Sequence, residues 1–354
     1  MTHQPYMYSL VDLWRSIAVL LVVVAHTLLW WGNPIIFGVI EPSLLGSTGV
    51  AIFFVLTSYV LMMSLERLRK KSEHLYIDFI LRRFFRIYPL SLMVVLFYYL
   101  TQIPSYFEKG LYFLYPDISF SGFIQNLLLI QNFTVTENIL GPLWSLPYEF
   151  QMYFFLPILF YYIKDSDTKW KMIFLFFILL LLFFVLKTKI DSVNKLLPYI
   201  QIPDYAKWGL CFIPGVVAYY VQKEYDGKII PFQYFWIIIA IILFARMFNY
   251  HFFVQVLSAV LVGFTLVLMS DNYSLWLKKV TEIISQYSYG IYLTHMLAIY
   301  LGFELFGATS LGWTVFLGSL VVLPVLCYHL IEKPCIDWGK KYCSLKFSKK
   351  EYTV

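Results

Sequence analysis

Ten apolar runs divide this sequence, and they constrain its fold more than any other feature. They are Leu10–Trp31, Val50–Leu65, Leu90–Thr101, Leu143–Ile163, Met172–Leu186, Leu210–Val221, Phe232–Phe248, Phe252–Met269, Ile283–Phe306 and Leu311–Ile331. A helix of about 20 apolar residues crosses the roughly 30 Å hydrocarbon core of a bilayer, since each residue adds about 1.5 Å. The runs therefore predict an all-α polytopic membrane protein with about ten transmembrane helices.

The composition narrows the class of protein further. Hydrophobic residues make up 60% of the chain and charged residues only 14%, against about 25% charged in soluble domains. This balance excludes an ordinary soluble enzyme. The basic residues lie mainly between the apolar runs, so the net charge of +6 does not indicate a nucleic-acid partner. The four cysteines show no C-x-x-C spacing, so we expect neither a metal site nor a disulfide framework.

The distribution of basic residues predicts the orientation in the membrane. An even number of spans places both termini on one side, which then holds 20 of the 27 Lys and Arg residues, against 6 on the other side. Excess Lys and Arg stay in the cytoplasm, so we expect both termini inside. The first run lacks a basic flank and a cleavage site, and we interpret it as a retained span. The expected division is a transmembrane domain, 1–338, and a short basic cytoplasmic tail, 339–354.

Arg15 and His26 lie inside the first apolar run, where a plain anchor would carry no ionisable residue. They are eleven positions apart, and eleven steps of about 100° return to nearly the same helical face. Ionisable groups within a span are costly and usually face a cavity or a partner. Arg15 could instead extend to the near interface, and His26 could satisfy a neighbouring polar group. For the pair on one face, we favour a functional role.

Arg83 and Arg86 lie three residues apart at the predicted cytoplasmic mouth of the third span. They could be topogenic anchors, which is the interpretation we favour for Arg82. Two guanidinium groups on one helical face also form a fork suited to phosphate. We therefore expect a phosphate-rich cytoplasmic ligand to bind Arg83 and Arg86.

Glu149 lies near the start of the fourth span. Because this span runs inward, we expect Glu149 near the outer side of the membrane, at the same depth as His26. It could orient His26 as a carboxylate orients a catalytic imidazole. Alternatively, Glu149 lies in the first turn of a helix capped by Ser145, where the helix dipole stabilises a carboxylate. His295, near the middle of the ninth span, is more often a packing residue than a catalyst.

Two further segments carry structural predictions. Between Pro104 and Gly141, the moderately apolar stretch Phe120–Phe133 contains Gln and Asn, which disfavour a full span. We interpret it as an interfacial or re-entrant element. The sequence Glu332-Lys333-Pro334 is typical of a helix terminus, because Pro cannot continue the hydrogen-bond ladder.

Taken in order, several motifs resemble those of the membrane acyltransferase 3 family. The Arg15-x10-His26 pair resembles its first-span motif, and Arg83-x-x-Arg86 resembles its basic motif. The other matching blocks are GVAIFFVLTSYVL at Gly49–Leu61, LWSLPYEFQMYFFLP at Leu143–Pro157, SYGIYLTH and IEKP. The resemblance extends from Leu10 to Pro334. It departs from the family at Thr57-Ser58-Tyr59, where the family block usually reads Ser-Gly-Phe, and at Phe150, where a second acid is common.

The resemblance implies a membrane O-acyltransferase that moves an acetyl or other acyl group from cytoplasmic acyl-CoA to a hydroxyl of an envelope or lipid-linked polysaccharide sugar. Arg83 and Arg86 would hold the phosphates of acetyl-CoA, and Arg15 would line the path. His26 would act as general base, oriented by Glu149, with a covalent acyl-enzyme left open as an alternative. Neither metal nor nucleic acid is expected, and the bacterial inner membrane, with its lipids, is the expected location.

A transporter is the alternative class. Ten spans with Arg15, His26 and Glu149 at interior positions also describe an exporter that uses them as a polar relay. Transporters of this kind usually contain two related halves. The Arg15-x10-His26 pair has no counterpart in the second half of the chain, which favours the acyltransferase.

Overall fold

The computed structural model describes residues 9–31, 41–104, 106–108, 112–114, 118–134, 136–163, 170, 174, 208–225, 227–248 and 252–348. The α-helices in these ranges are α1 Ser9–Trp30, α2 Pro42–Arg69, α3 Leu75–Thr101, α4 Phe120–Leu127, α5 Leu146–Ile163, α6 Ile213–Glu224, α7 Phe235–Phe248, α8 Phe252–Leu268, α9 Leu275–Ile299, α10 Ser310–Cys327 and α11 Lys333–Phe347. Two three-residue strands, β1 Tyr106–Glu108 and β2 Tyr112–Leu114, form an antiparallel hairpin. The prediction of a helical membrane protein is confirmed.

Nine of the ten predicted spans overlap helices, and the fifth, Met172–Leu186, falls outside the described residues except at Phe174. Within the described ranges, four helical stretches are long and apolar enough to cross a membrane. They are Ser9–Trp30, Pro42–Arg69, Leu75–Thr101 and Ser310–Phe347. Shorter apolar helices cover Phe232–Arg246 and Val254–Leu268. The count of ten spans, the cytoplasmic termini and the boundary at residue 338 stay predictions.

Helix α1 packs against both α2 and α9. Its contact with α2 depends on a glycine. A Cβ at Gly49 would lie 2.5 Å from the carbonyl oxygen of Ala18 and 2.9 Å from a methyl of Val22. Small residues allow transmembrane helices to approach at backbone distance. This close packing fixes the direction of the α1 face that carries Arg15 and His26.

The contact between α2 and α6 explains one departure from the family motif. Ser58 is fully buried and donates a hydrogen bond to the carbonyl of Phe212 at 2.6 Å. Opposite it lies Gly215, where an added Cβ would be only 2.1 Å from the Ser58 hydroxyl. A larger residue at position 58 of α2 is thus accommodated by a glycine on α6, and its polar atom is satisfied.

The C-terminal helix differs from our expectation of a terminus at Glu332-Lys333-Pro334. A π-helical turn, Tyr328–Glu332, joins α10 to α11, and the helix continues to Phe347. Pro334 lies in the first turn of α11, where a missing N–H costs little. The predicted helix end is therefore wrong. Helix α11 then packs against α3, with Trp338 edge-on to Phe85 at 4.7 Å.

The segment before α5 folds back among the helices. Tyr88, midway along α3, donates a hydrogen bond to the carbonyl of Leu127 at the end of α4. Asn126 is fully buried and binds the backbone of Gly122, Glu137 and Ile139. As a consequence, α5 starts inside the bundle, after the 3-10 turn Gly141–Ser145. The interpretation of Phe120–Phe133 as an interfacial or re-entrant element stays a prediction.

Candidate active site

A cavity of about 280 Å³ lies between α1, α2, α3, α5 and α9. Its charged lining residues are Asp12, Arg15, Arg67, Arg83, Arg86 and Glu149. Four arginines therefore face two carboxylates, and the cavity carries a net positive charge. The rest of its wall combines apolar side chains, such as Val11, Val50 and Phe53, with hydroxyl groups from Thr57, Ser145, Tyr153, Ser288, Tyr289 and Tyr292. Such a cavity is suited to an anionic ligand with an apolar part.

Arg15 is held at this cavity by its neighbours on α1 and α9. Its guanidinium lies 3.5 Å from the hydroxyl of Ser285, which in turn donates to the carboxylate of Asp12 at 2.6 Å. The charges of Arg86 and Glu149 also act on Arg15. Most of its five N–H donors are left for a ligand. Asp12 and Ser285 thus aim a cation into the cavity without neutralising it by a direct ion pair.

Arg83 and Arg86 come from one face of α3, as their spacing predicted, and both line the cavity. The guanidinium carbon of Arg83 lies 5.5 Å from the ring centre of Phe79, a cation–π arrangement. Their neighbour Arg82 points elsewhere and pairs with the buried carboxylate of Asp78. The structure thereby separates the two candidate ligand-binding arginines from the one interpreted as an anchor.

Glu149 lies with the arginines and not with His26. Its carboxylate accepts hydrogen bonds from Tyr153 at 2.7 Å and from Thr57 at 3.2 Å, and its charge acts on Arg15 and Arg83. The expected pair of Glu149 and His26 is wrong, because α5 begins inside the bundle and not at the outer surface. The alternative is confirmed in one part, because Glu149 lies in the first turn of α5. Its other part, Ser145 as the cap, is wrong, since the Ser145 hydroxyl bonds to Tyr292 at 2.6 Å.

The partner of His26 is His295, a residue to which sequence reasoning gave little weight. Nε2 of His295 lies 3.3 Å from Nδ1 of His26, and the ring centres are 5.0 Å apart. His295 is fully buried, whereas His26 is partly exposed. Neither imidazole lines the arginine cavity. The parallel contact of α1 with α9 brings the two rings together, which no spacing within one run could have indicated.

The hydrogen bonds of this pair assign a tautomer to each ring. Nδ1 of His295 lies 2.8 and 3.1 Å from two backbone carbonyl oxygens, and Nδ1 of His26 lies 2.9 Å from that of Val22. Carbonyl oxygens only accept, so each Nδ1 carries the proton in the neutral pair. The single Nδ1–H of His26 is then shared between the Val22 carbonyl and the lone pair on Nε2 of His295. Its own Nε2 keeps a lone pair, the form that a general base requires.

Tyr292 and Ser145 form the wall between the cavity and the histidine pair. Both line the cavity, and the Tyr292 ring is 6.0 Å from Phe53 on one side and 6.1 Å from His295 on the other. The Tyr292 hydroxyl donates to the carbonyl of Pro142 at 2.8 Å, so Ser145 donates to Tyr292. Sequence reasoning missed this pair, although both residues lie in the quoted motifs.

No group of three or more His, Cys, Asp or Glu residues suited to a metal ion is found in the described part of the chain. The polar groups of the cavity and of the histidine pair are guanidinium, carboxylate, hydroxyl and imidazole groups. A cationic cavity and a hydrogen-bonded imidazole pair, both enclosed by apolar helices, define a membrane protein with an enzyme-like polar centre.

The sequence comparison identifies the family. The acyltransferase 3 family model, described as an acyltransferase domain, matches residues 8–331. The chain belongs to this family and is a membrane acyltransferase. Comparison with curated proteins and with solved structures gives no significant match. Because the chain belongs to an acyltransferase family, the alternative prediction of a transporter is not supported.

Proposed function

We propose that this acyltransferase moves an acetyl group from cytoplasmic acetyl-CoA to a sugar hydroxyl of an envelope or lipid-linked polysaccharide, in the bacterial cytoplasmic membrane. The observation that carries the proposal is the convergence of Arg15, Arg83 and Arg86 on one cavity. Guanidinium groups bind phosphate oxygens through paired, charge-assisted hydrogen bonds. CoA supplies several phosphate charges, and its pantetheine arm, which carries amides and a hydroxyl on an aliphatic chain, suits a wall of mixed apolar and hydroxyl side chains.

The cavity is too small for a whole CoA molecule, so it would hold only the part that enters the bundle. Arg15 and His26 are separated by about 16 Å along α1, at 1.5 Å per residue. An extended pantetheine arm can bridge that distance. To do so it has to pass Tyr292 and Ser145, and we infer that the Tyr292 side chain moves when the donor binds.

The histidine pair would carry the transfer step. Nε2 of His26 removes the proton of the acceptor hydroxyl, and the oxygen attacks the thioester carbonyl. The carbon–sulfur bond breaks, and the departing CoA sulfur takes the proton back from His26. Throughout, the single Nδ1–H of His26 is shared between the Val22 carbonyl and Nε2 of His295, and both acceptors hold the ring and stabilise the imidazolium. His295 thus fills the positioning role first assigned to Glu149.

The test is acetyl transfer by the purified full chain in liposomes, with radiolabelled acetyl-CoA and an extracted envelope polysaccharide. We expect label on the polysaccharide, and its loss in His26→Ala, because no other group in the site offers a free imidazole lone pair. His329→Ala is the matched control, since that exposed histidine contacts Tyr287 away from the cavity. Full transfer by His26→Ala would refute the general base, and no transfer by the wild-type protein would refute the proposed reaction.

A further inference from the structure

Indole rings cluster at the end of α1 that lies beyond His26. Trp30 stacks on the buried ring of Phe303 at 5.1 Å, and Trp31 meets Trp313 edge-on at 5.3 Å. Trp31 is 40% and Trp313 36% exposed. Tryptophan is common at membrane interfaces, so exposed rings alone would indicate only an interfacial belt.

A carboxylate sets this cluster apart from an interfacial belt. Glu304 is exposed, and one of its oxygens accepts a hydrogen bond from the Trp30 indole at 3.1 Å. It lies at the end of a π-helical turn, Tyr300–Glu304, that interrupts the helix after α9. Turns of this kind are frequent at functional sites. The Trp30 indole thus holds an oriented carboxylate beside two accessible aromatic faces.

The cluster is also placed one helical turn from the proposed base. Trp30 follows His26 by four residues, so the two share a face of α1 about 6 Å apart along the axis. The arginine cavity lies toward the opposite end of α1, at Arg15. A ligand on the indoles would therefore approach His26 from the side opposite to the donor.

We propose that Trp31, Trp313 and Glu304 bind the acceptor as a pyranose ring. The apolar C–H face of a pyranose suits the electron-rich face of an indole, and a carboxylate accepts strong hydrogen bonds from paired sugar hydroxyls. Trp30 is a positioning residue, since it acts through Glu304. This inference rests on the proposed function and adds to it the place where the sugar binds.

The experiment measures acetyl transfer in liposomes while the extracted polysaccharide and acetyl-CoA are varied separately. We expect Glu304→Gln and Trp31→Leu each to raise the half-saturating polysaccharide concentration about tenfold, the loss of one charge-assisted hydrogen bond or one aromatic contact. The half-saturating acetyl-CoA concentration should stay within about twofold. Trp30→Phe keeps the stacked ring but frees Glu304, and should give a smaller increase of the same kind.

Trp276→Leu is the matched control, because Trp276 is a 72% exposed indole at the opposite end of α9. An interfacial belt without a sugar site predicts that Trp31→Leu and Trp276→Leu behave alike, with unchanged polysaccharide dependence, and that result would overturn the inference. Transfer by the wild-type protein with unaltered kinetics in Glu304→Gln would overturn it too, while leaving the proposed function intact. Absence of transfer by the wild-type protein would instead overturn the proposed function.

Discussion

The arginine cavity and the histidine pair lie along the same helix and are built in opposite ways. The cavity collects charges from four helices, and Arg15 keeps most of its N–H donors for a ligand. The histidine pair uses only α1 and α9, is neutral in its hydrogen-bonding pattern and has one ring completely buried. Open cations suit the binding of a soluble, charged donor, whereas a dry neutral pair suits proton transfer.

This difference indicates that donor binding and proton transfer are carried by separate groups of residues. Changes in the cavity should alter the dependence on acyl-CoA, and changes in the histidine pair should alter turnover. Glu149 is the residue on which the two assignments disagree, since sequence reasoning placed it with His26 and the structure places it with the arginines.

The largest effect on donor binding is expected from Arg83→Ala combined with Arg86→Ala. Loss of two guanidinium forks should raise the half-saturating acetyl-CoA concentration about 100-fold, at roughly 1.5 kcal/mol or more for each charged hydrogen bond. The half-saturating acceptor concentration should change little. The measurement is initial rate of transfer against acetyl-CoA concentration in liposomes.

Lysine replacements separate binding from topology. Arg83→Lys with Arg86→Lys keeps both positive charges, and hence the orientation, but removes the bidentate fork. About a tenfold rise in half-saturating acetyl-CoA is expected. Arg82→Lys is the control, since Arg82 does not line the cavity. If the double variant and Arg82→Lys both showed wild-type kinetics, Arg83 and Arg86 would be topogenic anchors only.

An effect confined to turnover is expected from His295→Leu. Nδ1–H of His26 then keeps only the Val22 carbonyl as acceptor, the imidazolium loses its contact with Nε2 of His295, and turnover should fall about tenfold, as for the loss of one hydrogen bond to a charged group. Half-saturating acetyl-CoA should be unchanged. His295→Gln places an amide near the position of Nε2 and should restore part of the activity.

A purely structural role for His295 predicts a different result. His295→Leu and His295→Gln would then lower turnover equally, or would also raise the half-saturating acetyl-CoA concentration. Thermal unfolding of each purified variant in detergent provides the check, because equal stability with unequal turnover would support the positioning role.

The sequence predicted those features of the site that are local to one helix and missed those that depend on packing between helices. Arg83 and Arg86 were predicted correctly as a pair because the i, i+3 rule acts within α3. Arg15 and His26 were likewise placed on one face of α1. The partner of His26 was missed because it is set by packing between α1 and α9, 269 residues apart in the chain.

Depth in the bundle was the other source of error. Assigning Glu149 to the outer level assumed that each span starts at a membrane surface. The segment tied to α4 by the Asn126 side chain, and the turn Gly141–Ser145, instead bring the chain into the bundle before α5 begins. A buried amide such as Asn126 can satisfy the irregular backbone of a segment that enters the bundle. The Gln and Asn residues of this segment were therefore a signal that the chain enters the bundle before α5, but the sequence analysis used them only to exclude a full span.

The smallest effect, and the one that decides between the two assignments, is expected from Glu149→Gln. Gln keeps an oxygen that accepts from Tyr153 and Thr57, so turnover should stay within about threefold, below 1 kcal/mol. Half-saturating acetyl-CoA should fall slightly, since one negative charge leaves an anion-binding cavity. Tyr153→Phe, which removes a hydrogen bond to the carboxylate but no charge, is the control. If Glu149→Gln lowered turnover as much as His26→Ala while acetyl-CoA still bound, the carboxylate would have to act on His26 during catalysis, and the separation of binding from chemistry would fail.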